Sequence, residues 1–421
     1  MLIPSRYARL WFCWLLAGSL ALIWAPRLQG QPSSKSPSVA EVFAAVPFDQ
    51  WAREPAATPI PWKVHLHSYG LSVHQRLVAG IALVIEGREL VKRVQDGRLL
   101  ALVRVTDGHG REYHDFGAID IREVKPENRK NVWVSTWDAF ALPGDYRVEL
   151  ALYDKASREH NFMKSRLHVA GLKKDPLPDA WKGLPDWEFW APITEQRDAI
   201  YRPDIETDLH LAVRTHREIQ VELLADLTPS DLFHGSNRFY THYLSVALPL
   251  LKELSEMELA HGSLTVAALD LRQRRVTFEQ DHVTRLDWER LRPVVSVENG
   301  PGTINVKKLQ QKQENPDFLR DELLRRLGHG DGPAAPIKVF IVLGSPMDFY
   351  AFHPLPPIEP AQAEKCVVYY LQYELYGPYA TGALGRVRKM LDPIPIHAIK
   401  VRSPESIRKA LARIVEEVGE L

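Results

Sequence analysis

The sequence predicts a two-part chain, an antiparallel β-sandwich followed by a doubly wound α/β domain. Three observations carry this expectation. Between Trp62 and Val169, short runs of alternating polarity follow one another with turn residues between them, as in sheets with one wet face. From Leu209 onward, short apolar runs alternate with amphipathic helical patterns, which implies a parallel sheet covered on both faces. Between the two halves, Lys173 to Pro203 gathers Pro176, Pro178, Pro185, Pro192 and Pro203. For 421 residues, two or three domains are the natural expectation.

The N-terminus reads as a targeting segment. Arg6 and Arg9 make a basic start, Leu10 to Ala25 is apolar, and Leu28-Gln-Gly30 offers a cleavage point before Gln31. Residues 1–30 are therefore expected to be a signal peptide, and the protein to be exported, periplasmic or secreted. An uncleaved single-pass anchor is the alternative, and no later stretch is apolar enough to span a bilayer. Residues 31–61, rich in Pro, Ser and Ala, read as a flexible extension with a short helix at Val39–Ala45. Cys13 lies in the signal, and Cys366 opens the run Cys-Val-Val-Tyr-Tyr-Leu as a buried core thiol. No internal disulfide is expected. Lys plus Arg and Asp plus Glu balance at 53 each, which leaves no footprint for nucleic acid or an anionic membrane.

Candidate strands of the first domain, residues 62–172, are Trp62–Tyr69, Leu77–Ile85, Leu99–Thr106, Glu112–Ile121, Val132–Trp137, Tyr146–Tyr153 and Phe162–Val169. Asp107-Gly-His-Gly110 is a hairpin signal between the third and fourth. Seven short strands with regular turns, and Leu142-Pro-Gly-Asp-Tyr146 leading into one of them, resemble an immunoglobulin or fibronectin-type sandwich. Without a Cys pair the resemblance is one of architecture. His65 and His67 share a strand face, and His74, His109 and His114 are near in sequence. Zinc uses such pairs, but with no third ligand at loop or helical spacing they read as a solvated face. Trp181, Trp187 and Trp190 lie in the Pro-rich linker, residues 173–205. They are expected to pack into a groove between domains, with a carbohydrate-stacking platform as the alternative.

The second domain, residues 206–421, is organised around Glu218-Ile-Gln-Val-Glu-Leu-Leu-Ala-Asp-Leu-Thr-Pro-Ser230. Val221, Leu223 and Leu224 make a strand buried on both faces. Asp226, Thr228 and Ser230 follow at alternate positions past its carboxyl end, where open α/β sheets bind ligands. A helix over Arg238–Leu259 with Pro249 as a kink comes next, then a hairpin of Ser263–Leu271 and Val276–Glu279. A short helix at Leu286–Leu291 and a helix capped at Asn315-Pro316-Asp317 lead to strands Ile337–Leu343, Cys366–Tyr373 and Ile394–Val401. The last helix starts at Ser403-Pro404-Glu405 with Ile407, Leu411, Ile414 and Val418 inward.

Asp226-x-Thr228-x-Ser230 resembles the D-x-S-x-S motif of von Willebrand factor A (vWA) domains, and the downstream element order resembles that family too. The resemblance covers Leu209 to Leu421. It implies a Rossmann-type fold with a metal-ion-dependent adhesion site on that loop. Gly300-Pro-Gly-Thr-Ile-Asn305 resembles the family's second loop, which would make Thr303 a ligand. The third loop departs from the pattern, with Ser345 where an acid belongs and Asp348 only later. Asp226 is then the one carboxylate of the cluster, and weak or absent Mg²⁺ or Mn²⁺ binding is the expectation. The alternative is a loop tied to itself by side-chain hydrogen bonds.

The insertion Ser345 to Lys365 holds His353 and Glu359 and reads as a lid or partner-binding edge. An exported, non-catalytic protein–protein interaction protein is the leading reading, its partner an extracytoplasmic protein. No nucleic acid, and no membrane beyond the signal segment, enters. A structural part of an envelope or secretion assembly is the alternative. A hydrolase would use Ser345 with His353 or His397, but Gly344-Ser-Pro-Met lacks the second glycine of a nucleophile elbow.

Overall fold

The computed structural model describes residues 2–4, 37–54, 58–93, 97–189, 208–228, 238–295, 315–328, 336–344, 358–359, 366–373 and 383–421. The chain divides into two compact units. The first takes the described residues up to Ser72, Arg76–Lys173 and 185–189, and the second takes Val73–Gln75, Lys174–Leu184 and those from 208 on. The stretch expected to be one linker is thus shared between the two units.

The first unit runs β1 (Leu2–Pro4), α1 (Val39–Ala44), α2 (Phe48–Trp51), β2 (Trp62–Leu71), β3 (Leu77–Glu86), α3 (Gly87–Val91), β4 (Arg98–Thr106), β5 (Glu112–Asp120), β6 (Asn131–Ala141), β7 (Gly144–Asp154), β8 (His160–Val169) and β9 (Trp187–Phe189). All seven expected strands are present. They form two antiparallel sheets, one ordered β1-β6-β3-β2 with β9 also beside β6, the other β5-β4-β7-β8. Leu77, Ala79, Ile81, Leu83 and Ile85 of β3 are all buried, the alternation of a strand with one face in the core. Asp107 closes the β4–β5 turn, its Oδ1 accepting from the amides of His109 (2.8 Å) and Arg111 (2.9 Å).

Over its described residues the extension at 31–61 is not a free tail. Ser38 caps α1 in a capping box with Glu41. Val42, Val46, Phe48 and Trp51 then pack on Leu100, Leu102, Ala151 and Phe162. Trp51 stacks on His160 with centroids 4.5 Å apart. α1 is expected from the sequence and α2 is not, yet Val42, Phe48 and Trp51 of the two all find a sheet to cover. Further along, Asn161 is fully buried and pairs with both the amide and the carbonyl of Ile60.

The second unit runs β10 (Leu211–Val213), β11 (Ile219–Asp226), α4 (Arg238–Ser255), β12 (Met257–Leu259), β13 (Gly262–Asp270), β14 (Arg275–Gln280), α5 (Trp288–Val295), α6 (Asn315–Leu327), β15 (Ile337–Gly344), β16 (Cys366–Tyr373), α7 (Ala383–Leu391), β17 (Ile396–Val401) and α8 (Pro404–Gly419). Its main sheet is ordered β14-β13-β11-β15-β16-β17. Every neighbouring pair is parallel except β13–β14 at the edge. The helix expected to reach Leu259 stops at Ser255, because Met257–Leu259 pairs in parallel with Leu211–Val213 as β12.

Helices cover both faces. Leu224, Phe340, Val342, Val368, Tyr370 and Cys366 share a core with Leu319 and Leu323 of α6 and Met390 of α7. Burial pushes the Cys366 thiol up to about 11, which suits a packing residue. Tyr369, one step off in the alternation, turns to the opposite face and hydrogen-bonds Glu417 of α8. The architecture is therefore that of a multidomain protein with a doubly wound α/β unit.

Two buried arginines fasten the second unit. Arg326 of α6 bonds Glu222 of β11 (2.9 Å), Glu279 of β14 (2.8 Å) and Glu322 of its own helix (2.7 Å). Arg408 of α8 grips the Asp175 carboxylate with two bonds of 2.7 Å and the Leu177 carbonyl at 2.8 Å, and lies over the Trp181 ring at 4.5 Å.

Glu256, after α4, sits beside Lys252 and accepts from the Leu209 amide at 2.9 Å. Burial is the largest influence on it and pushes its carboxyl up to about 7, against the pull of Lys252. A carboxyl that holds its proton more tightly when folded stabilises the fold below its unfolded pKa of 4.5 and loses that stabilisation as pH rises through the folded value. Urea midpoints are therefore expected to fall between about pH 5 and about pH 8, and Glu256→Gln to flatten that slope. Equal slopes in wild type and variant would sink this assignment.

Candidate functional site

Strand β11 is the middle of the sheet's winding. From it the chain steps to β13 on one side and to β15 on the other, so its carboxyl end is the topological switch point where such sheets take ligands. Leu223, Leu224 and Ala225 are fully buried. Asp226 and Thr228 continue the strand into the crevice and are 2% and 3% exposed.

Their geometry is that of a cross-strand tie. Asp226 Oδ1 accepts from the Thr228 amide at 3.1 Å and from the Thr228 hydroxyl. The same hydroxyl oxygen accepts from the Leu271 amide, just past β13, at 2.8 Å. Leu227 N donates to Leu269 O at 3.0 Å beside it. The carboxylate thus orients the hydroxyl, and the hydroxyl pins the end of one strand to the end of the next. One lone pair of the Thr228 oxygen is left over for any further donor or cation.

A second carboxylate lies at the neighbouring strand end. Asp270, 2% exposed, accepts from the Gln273 amide at 2.9 Å and has Arg275 Nε at 3.8 Å. Burial raises its pKa above the ordinary carboxylate value, with those partners pulling it back. The sequence carried a signal for it, since Ala225-Asp-Leu227 and Leu269-Asp-Leu271 end two adjacent strands alike.

On the other side of the switch point β15 ends at Gly344. A Cβ there would collide with the Tyr370 hydroxyl and come within 2.5 Å of its ring carbon Cζ. Tyr370 is fully buried, so only glycine fits at that strand end.

Of the other candidates, Ser230, Thr303, Ser345 and His353 lie outside the described residues. Glu359 is exposed, next to the buried Ile358. His397 is held by Glu417 at 2.6 Å and is 3.2 Å from Arg413. By register it is level with Tyr369 and Ile341, three residues short of Gly344. Among the described residues, no three or more His, Cys, Asp or Glu side chains are gathered as a metal-holding group. In the segment expected to be a linker, Trp181 lies on Arg408 and Trp187 is 1% exposed, 5.1 Å from Tyr146. Trp190 is outside the described residues. His114 meets the Phe43 ring edge-on at 4.6 Å.

No family model matches the chain, and no curated protein does. Among solved structures, the chain is similar to an ArnB paralog, VWA2, from Sulfolobus acidocaldarius. The identity is 8% and the TM-score 0.26, over 64% of this chain and 49% of that one. The chain thus spans about half the length of that structure. A putative ApaA protein from Bordetella pertussis matches at 11% identity and TM-score 0.17, over 28% of this chain and 100% of that one. A glycosyl hydrolase family 2 member from Bacteroides cellulosilyticus matches at 8% identity and TM-score 0.20, over 80% of this chain and 38% of that one. With scores this low, the fold rests on the strand order itself.

The tie predicts a measurable coupling. Thr228→Val keeps the shape but leaves the Leu271 amide unpaired in the interior, at a cost of about 2 kcal/mol. Asp226→Ala should cost about 1 kcal/mol, and the double variant less than the sum, because Thr228 donates to Asp226. Urea denaturation with and without EDTA checks this. Strict additivity, or losses that appear only when Mg²⁺ is present, would show that the two residues do not act as a tie.

Proposed function

We propose that this is an exported, non-catalytic interaction protein whose second unit is a vWA-like domain. On this reading it engages another extracytoplasmic protein through the carboxyl-end face of its sheet. One observation carries the reading. The six-stranded sheet is ordered 3-2-1-4-5-6 with its third strand antiparallel at the edge, and Asp226 and Thr228 stand at the switch point. An ordinary doubly wound sheet does not need that antiparallel hairpin.

The first unit is read as an immunoglobulin-like sandwich. Support comes from β2, β3 and β6 in one sheet and β4, β7 and β8 in the other, the distribution of strands A, B, E and C, F, G. Tyr146, near the start of β7, reaches the Leu142 carbonyl at 2.8 Å, as the tyrosine corner of such domains does. A structural role in an envelope or secretion assembly is the second reading, favoured by a binding face that needs no chemistry. In either case Mg²⁺ or Mn²⁺ contributes little, because Asp226 is already committed to Thr228.

Affinity capture from the exported fraction with the full-length protein tests this. Arg274→Glu, in the β13–β14 turn at the carboxyl end of β13, and Glu359→Arg should weaken capture at least tenfold. EDTA should leave capture unchanged. The reading is abandoned if both charge reversals capture normally, or if the native protein is cytosolic and begins at Met1.

A further inference from the structure

The first unit carries a cavity that the switch point does not use. It measures about 340 Å³ and lies between α1–α2 and strands β4 and β5, where Phe43, Phe48, Asp49, Arg104, Glu112 and His114 line it. Register explains how these groups meet. His114 of β5 stands opposite Arg104 of β4, Arg104 opposite Glu149 of β7, and Glu149 opposite Lys164 of β8. Glu112 is two residues from His114 and so shares its face of the sheet. The short helices then bring Phe43 against His114, and Phe48 and Asp49 against Arg104.

The charges that line the cavity do not balance. Arg104 is its cation, and Asp49 and Glu112 are its anions. Arg104 is fully engaged, with Nε and Nη2 on Glu149 and Nη1 on Asp49 Oδ1, each at 2.6 Å. Glu149, outside the lining, has Lys164 at 3.4 Å as well. Glu112 has Arg104 at 3.8 Å and His114 Nε2 at 3.6 Å, both beyond hydrogen-bond length. Burial, the largest influence, lowers the His114 pKa, so the ring is neutral near pH 7. One net negative charge is left beside three aromatic rings. The Phe43 centroid is 5.0 Å from that of Phe48 and 4.6 Å from that of His114, and Arg104 already lies over the Phe48 ring at 4.8 Å.

From this geometry we propose that the cavity is a binding site for a primary alkylammonium group, the chemistry of a lysine side chain. An ammonium is a compact charge with three donors, and it suits single oxygens from separate residues, here Asp49 and Glu112. A guanidinium instead prefers both oxygens of one carboxylate. The methylene stem packs on Phe43 and Phe48, whose rings also favour a nearby cation. Ligand pockets span about 300–1,000 Å³, so this cavity is sized for a short stem and its charged head. His114 is faced by Glu112 of its own strand, Arg104 of β4, Asp49 of α2 and Phe43 of α1. Its protonation cancels the net negative charge, so affinity falls as the pH drops below 6.5 and through its titration.

The site is independent of the carboxyl-end face of the second unit, and its failure leaves that reading untouched. The test is a titration of the full-length protein with n-butylammonium chloride and with acetyl-Gly-Lys-Gly-amide. It is followed by the His114 ring-proton NMR resonance, assigned by its loss in His114→Gln, with sodium chloride as the ionic-strength control. Both probes should bind saturably at millimolar concentration near neutral pH, and more weakly in acid. Acetylating the lysine nitrogen, which removes the charge and keeps the stem, should weaken binding at least tenfold. Glu112→Gln should do the same, and Asp49→Asn on α2 serves if that variant fails to fold by circular dichroism. Tighter binding of the peptide supports a polypeptide ligand, and equal binding supports a free amine. No saturable shift, a shift that sodium reproduces, or equal binding by the acetylated peptide or by the folded variants overturns the proposal.

Discussion

The second unit hangs on the complete enclosure of β11. Its backbone pairs with β13 on one side and β15 on the other, and its side chains are buried almost without interruption. A strand so placed can spare no backbone group for water, so its ends must be finished by other means. Asp226 and Thr228 provide that finish at the carboxyl end. Arg326 does a related service for Glu222 within the strand, because a carboxylate facing α6 would be costly there without a cation beside it. Burial, and secondarily the Glu279 charge, raises the Glu222 pKa, and the Arg326 contact opposes that rise.

This gives the Asp226 and Thr228 pair a structural role of its own. A hydroxyl that donates to a carboxylate and accepts from a neighbouring strand is a structural part wherever it occurs. The same residues in a cation site would be oriented by similar bonds, so the tie and the ligand role share a geometry. What separates them is charge. Among the described residues, Asp226 is bonded to Thr228, and Asp270 accepts from Gln273 with Arg275 3.8 Å away.

Much of the fold was legible in the sequence because its strands are long and alternate cleanly. The seven expected strands of the first unit, and the six-stranded sheet and capped last helix of the second, follow from period and turn chemistry. The errors lie where tertiary contact overrides local pattern. β9 and β12 are three-residue strands that exist only because β6 and β10 offer them an edge. α1 lies where a short helix is expected, but α2 is too short to show a period, although its Phe48 and Trp51 are buried. The Asp226–Thr228 pair was visible, but its bond to Leu271 was not, since it joins residues 43 apart.

The Arg408 clamp bears on the order in which the chain can fold. Asp175 and Arg408 are 233 residues apart, so the contact cannot close until α8 has left the ribosome. The first unit is different, for its strands β2 to β8 are all made by Val169. Synthesis at about 5–20 residues per second therefore leaves the second unit without its clamp for roughly ten seconds or more after Asp175 emerges. During that interval Asp175, Leu177 and Trp181 have no arginine to gather them. A cell that makes this protein would be expected to hold the growing chain in solution that long.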